Sequence, residues 1–171
     1  NKLSVFSDSV VIDEHGKVTM QSGIADLHNG RKENYFDDKK LKNEIVRRWS
    51  VPGPGRMDDK RLYSLIGKYD ENLYVEDWDF YLRTVAKNAL GFIDAPLAAY
   101  RVHGKNTCLA GNKTVNKETI QQGIKLTESI RDTLKKNMFK LGIMNAAILF
   151  FRLKQYNKKI HKLNRKLKCQ K

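Results

Sequence analysis

The stretch Gly67-Lys68-Tyr69-Asp70-Glu71-Asn72-Leu73-Tyr74-Val75-Glu76-Asp77-Trp78-Asp79-Phe80-Tyr81-Leu82-Arg83 decides how the rest of the chain is read. Gly67 ends one helical segment, and Asp70-Glu71 reads as a turn. From Glu76 to Lys87 the apolar residues Trp78, Leu82, Val85 and Ala86 share one side, so the spacing predicts a helix. Glu76 and Asp77 then stand at its start. Carboxylates are favoured there by the helix dipole and by backbone N–H groups without intrahelical partners. That alone accounts for an acidic pair at a helix start. A second reading needs the neighbours. A carboxylate beside a Gly/Pro loop and facing a histidine is placed to take a proton from a bound hydroxyl.

Upstream, Val51-Pro52-Gly53-Pro54-Gly55 alternates restriction and freedom and predicts a shaped loop. Asp58–Ile66 is predicted helical. Leu41, Ile45, Val46 and Trp49 have helical spacing, while residues 26–34 read as an irregular loop. At the N-terminus, Leu3–Phe6 and Val10–Ile12 are predicted as two short strands, and Asp13-Glu14-His15-Gly16 is a turn signal before Val18. Downstream, Phe92–Asp94 and Leu97–Val102 are two further strand candidates. A helix capped by Thr114 or Asn116 is expected to run to about Lys136, with Ile120, Ile124, Leu126, Ile130 and Leu134 as its apolar stripe. A last helix is expected from about Phe139.

The run GKYDENLYVEDWDFYLR, followed by PLAAYRVHGKNT from Pro96 to Thr107, closely resembles the C-terminal half of family-2 glycosyltransferases of the GT-A fold. There a G-G-[FY]-D-E segment precedes E-D-[WY]-[DE]-L-x-L-R, and [YF]-R-x-H-x-x-N-[ST] follows. The Pro/Gly loop with Arg56 and Met57 resembles the family's glycine-rich segment, and VFSDSVVIDEHGK (5–17) its strand and hairpin after the metal-binding aspartates. Together these cover about residues 3 to 108.

The resemblance implies an α/β fold: a partial GT-A domain with a mixed sheet, followed by C-terminal helices. With the helical periodicity and charge pattern downstream of it, the chain divides into residues 1–110 (the C-terminal part of the glycosyltransferase domain), 111–137 (a connecting helix) and 138–171 (a basic amphipathic tail). The resemblance also implies an inverting transfer of sugar from a nucleoside-diphosphate donor to a saccharide or lipid-linked acceptor. Asp77 would be the base, with Glu76 second. His103 would contact a Mg2+ or Mn2+ ion or the diphosphate. Arg101 and Lys105 are possible diphosphate partners, and the backbone of Gly53 and Gly55 could approach substrate closely. Arg56 is expected either to anchor the loop or to touch substrate. Trp78 reads as core by its spacing and is also a candidate substrate contact; Trp49 reads as core unless it lines an acceptor cleft. Arg83 reads as structural. The chain departs from the family's pattern at Lys68, where glycine is usual, and at Cys108. The metal-binding DxD that should precede Leu3 is absent, and Asp8 does not take that role. With Asn1 as the first residue, the chain is expected to be a fragment or processed product, inactive in transfer by itself.

Composition adds one feature. Ten of the 33 Lys and Arg, and none of the 19 Asp and Glu, fall between Met138 and Lys171, so the residues before them carry +4 of the net +14. Such a block suits an anionic partner. Its alternation with apolar residues points to an anionic membrane surface. The alternative is a basic helical protein that binds nucleic acid or a partner without catalysis; nucleic acid is the less expected occupant, because zinc-finger spacing and RNP-type aromatic motifs are missing. The apolar run Leu141–Phe151 has 11 residues, short of the roughly 20 that span a bilayer. A cytoplasmic location, peripheral at the inner face of the plasma membrane, is the expectation. The two cysteines, Cys108 and Cys169, have no metal-ligand spacing.

Overall fold

The computed structural model describes residues 2–48, 50–51, 53–73, 75–103, 106, 117–141 and 143–168. Trp49, Lys105, Cys108, Cys169 and the helix caps expected at Thr114 or Asn116 lie outside the described residues. The chain is α/β, with a mixed four-stranded sheet and helices.

It divides into two compact units. The first comprises Asn1–Lys68 and Phe80–Ala110, the second Tyr69–Asp79 and Gly111–Lys171. This differs from the division expected from sequence. The segment carrying Glu76 and Asp77 counts with the C-terminal helices, and those helices form one unit instead of a linker and a separate tail.

In the first unit, strand β1 (Ser4–Ile12) is central. Strand β4 (Leu90–Arg101) runs parallel to it from Ser4↔Leu90 to Ile12↔Arg101. On β1's other edge, β3 (Arg56–Asp58) pairs antiparallel with Ser4–Phe6, and β2 (Val18–Met20) pairs antiparallel with Val11 and Ile12. The short β3 follows the Pro/Gly loop directly, so Asp58 is a strand residue and helix α2 is confined to Lys60–Ile66, capped by Asp59. The two strands expected between Leu3 and Ile12 are one. So are the two expected between Phe92 and Val102, with register shifts opposite Asp8 where Pro96 sits. Proline has no N–H for a ladder and is tolerated at such an irregularity.

Helix α1 (Asp38–Arg47) is capped by Asp37 and buries Leu41, Ile45 and Val46, as its spacing predicts. Phe6, Tyr35 and Phe92 pack with ring centroids 5.0–5.3 Å apart, and Tyr81 joins Phe6 at 6.1 Å. Leu62, Phe80 and Ala89 form a further buried cluster, with Leu3 and Ile66 against it. Residues 26–34, expected to be irregular, contain parts of a π-helical turn (Gly23–Leu27) and a 3-10 turn (Lys32–Asn34).

Helix α3 (Glu76–Ala86) starts at the carboxylate pair. In the second unit, α4 (Lys117–Asn137) and α5 (Ile143–Lys168) pack together. The last helix begins four residues later than expected, because Met138–Leu141 forms a 3-10 turn. Among the described residues, no helix is long and apolar enough to cross a membrane.

Candidate active site

The carboxylate pair sits on a turn fixed from several sides, all within the second unit. The N–H of Val75 donates to Ser129 Oγ at 3.3 Å. Asp79, fully buried, accepts from Asn137 Nδ2 at 2.8 Å. The Arg152 guanidinium lies over the Trp78 ring, 5.0 Å from its centroid, and donates to Tyr156 Oη at 3.0 Å. Between these anchors Asp77 is half-buried and Glu76 exposed. Asp77 Oδ1 accepts the Trp78 N–H at 2.7 Å, one of the donors a helix start leaves without an intrahelical partner. Trp78 is 1% exposed. Its ring is therefore packing surface, as the core reading of its spacing expects and not as a substrate contact would require.

Ahead of this turn, Asp70 Oδ1 accepts the N–H of Asn72 at 3.1 Å and Oδ2 pairs with Lys136 at 2.6 Å. The Lys136 ammonium, with Asn72, holds the Asp70 carboxyl down at about 2. Beside it a cleft of about 330 Å³ is lined by Glu71, Asn72 and Leu73 with Lys125, Glu128, Ser129 and Asp132 of α4.

The remaining expected site residues belong to the first unit. Arg101 ends β4, and its Nη1 donates to the carbonyls of Asp13 (2.9 Å) and Glu14 (3.0 Å), closing the β1–β2 turn. Asn106 folds back on the same segment. Its Oδ1 accepts the His103 N–H and its Nδ2 donates to the Arg101 carbonyl at 3.1 Å. The Arg-Val-His-x-x-Asn spacing thus builds a turn that leaves His103 exposed. Lys105 lies outside the described residues. Among the described residues, no three or more His, Cys, Asp or Glu side chains converge to hold a metal ion. The donors among the described residues do not by themselves make a site for a divalent cation.

Gly55 has φ +87°, and a Cβ there would stand 2.5 Å from Ser7 Oγ. Its carbonyl accepts the Ser7 N–H at 2.8 Å. This glycine is needed for its approach to β1. Gly53 is exposed, with open space where a Cβ would go. Arg56 is an anchor: its guanidinium lies 4.3 Å from both the Phe80 and Tyr81 ring centroids, and Nε pairs with Asp58 at 2.8 Å. Arg83, 7% exposed, donates to the carbonyls of Ile66, Gly67 and Lys68. As expected, its role is structural: it satisfies the carbonyls at the end of α2.

One polar hub escaped the sequence reading. Asp8, 1% exposed, accepts from Ser22 Oγ (2.6 Å), Ser9 N (2.8 Å) and Ile24 N (3.1 Å), and pairs with Lys32 at 3.1 Å. Lys32 also bridges to Asp94 at 2.8 Å. Burial alone would raise the Asp8 carboxyl, but these bonds outweigh it and hold it below its ordinary value. The hint lay in the polar Ser7-Asp8-Ser9 run inside an apolar strand. Comparison of the chain with protein-family models, with curated proteins and with solved structures returns no match.

Proposed function

We propose that this chain is the acceptor-side part of an inverting glycosyltransferase with a GT-A fold. It would move a sugar from a nucleoside-diphosphate donor to a saccharide or lipid-linked acceptor in envelope or polysaccharide synthesis, with Asp77 as the base. The observation that carries this reading is a half-buried carboxylate on a helix-start turn whose other members, Val75, Trp78 and Asp79, are each tied down. A general base must be reachable by its substrate yet held in place.

In the proposed step the acceptor hydroxyl oxygen bonds to the anomeric carbon as its proton passes to Asp77. The bond from that carbon to the diphosphate oxygen breaks, and its electron pair leaves with the diphosphate. Glu76, exposed on the same turn, is the secondary candidate. The carboxylate ligands of a diphosphate-neutralising Mg2+ or Mn2+ would belong, on this reading, to the stretch expected before Leu3.

The test is release of nucleoside diphosphate from a panel of nucleotide sugars, using the protein as the cell makes it. Release that requires an acceptor saccharide supports the reading. Release that no acceptor stimulates contradicts it.

A further inference from the structure

Helix α5 has two unlike sides. Asn145, Leu149, Leu153, Tyr156, Ile160, Leu163 and Leu167 recur at spacings of three and four and are buried or half-buried. This side packs on α4, with Leu163 Cδ1 3.9 Å from the Cβ position of Gly123. The opposite side begins with Phe150 and Phe151, 62% and 67% exposed. Behind them, in helical register with Phe151, come Lys154, Lys158, Lys162 and Arg165, all exposed. No acidic residue occurs from Met138 to the last residue. Phe150 to Lys168 extends about 27 Å at 1.5 Å per residue.

We propose that this outer face docks in the plane of an anionic lipid bilayer, with Phe150 and Phe151 entering the headgroup–acyl boundary and the cations behind them lying on lipid phosphates. Two features select this occupant. The acid-free cationic row complements an anionic surface. The exposed phenylalanine pair at one end has an apolar region to enter in a bilayer and none along a phosphate backbone. The inner face is already held by α4, so the helix would lie on the membrane, in keeping with its not being apolar enough to cross one. The inference goes beyond the proposed enzymatic reading and does not depend on it, since sugar transfer plays no part in its test.

The experiment is co-sedimentation of the intact chain with phosphatidylcholine vesicles, with and without phosphatidylglycerol, at low and high salt. Binding should require phosphatidylglycerol and weaken with salt. The double variant Lys154→Glu/Lys158→Glu should lose at least about tenfold in binding. Phe150→Ser/Phe151→Ser should lose about tenfold or more and keep the salt dependence. In a Phe151→Trp protein, whose fold is checked by circular dichroism, acyl-brominated lipid should quench fluorescence from the new indole beyond its effect on wild type. Failure to bind phosphatidylglycerol vesicles at low salt overturns the proposal. So does quenching of the Phe151→Trp protein no greater than that of wild type, or binding indifferent to the phenylalanines and displaced by duplex DNA. That last result would assign the cations to nucleic acid.

Discussion

The guanidinium carbon of Arg56 lies 4.3 Å from the centre of the Phe80 ring, joining the strand after the Pro/Gly loop to helix α3. The same group pairs through Nε with Asp58, and both side chains are nearly buried, 8% and 11% exposed. Nη1 and Nη2 are buried without a hydrogen-bond partner. Removing one member of such a pair strands the other charge. Arg56→Met should therefore destabilise the protein by about 3 kcal/mol. Arg56→Met/Asp58→Asn should recover most of that loss, measured as denaturant midpoints. A double variant no more stable than the single one would show that the ring contacts, and not the stranded carboxylate, set the cost.

The two glycines of the Pro/Gly loop should respond differently. Gly55→Ala forces a side chain into a left-handed backbone conformation and against Ser7 Oγ. It should cost about 2 kcal/mol or more. Gly53→Ala meets open space and should stay within about 0.5 kcal/mol of wild type. Thermal melts of the pair check this, and equal losses would contradict it.

These residues also show what the sequence could and could not convey. The stripe of α1 and the alternating tail were legible because one helical period governs each. Strand β3 was hidden because it is only three residues long, exposes its apolar Met57 while its charged Arg56 and Asp58 are partly buried, and owes its place to pairing with Ser4–Phe6. Strand β1 looked like two strands because Ser7, Asp8 and Ser9 are buried polar residues, and the Asp8 partners Ser22, Ile24 and Lys32 are distant in sequence. At the candidate site, the carboxylates at the start of α3 were readable from local pattern. The anchoring of Asp79 by Asn137, and the use of Arg101 to close the Asp13–Glu14 turn, depend on residues far along the chain.

Acid should destabilise the first unit in two steps. Burial lowers the His28 pKa from 6.5, and its Nε2 is buried without a hydrogen-bond partner. The unfolded chain therefore takes up this proton first, so stability is full above about 6.5 and falls as pH drops below it. Asp8 is likewise held below 3.8 in the folded chain. Its contribution is present above that value and is lost as pH falls through the lower folded value. Replacing His28 with Gln should flatten the melting temperature between about pH 7 and 5 and leave the more acidic arm unchanged. A histidine proton spectrum in which His28 titrates at or above 6.5 would contradict the first step.

The most direct test of the enzymatic account compares Asp77→Asn with Glu76→Gln in the protein as the cell makes it, following turnover, donor affinity and unfolding midpoint together. Asp77→Asn should lower kcat by about 10²- to 10⁴-fold, with donor Kd and stability unchanged, while Glu76→Gln keeps most of the activity. Wild-type turnover by the Asp77→Asn protein would contradict the account.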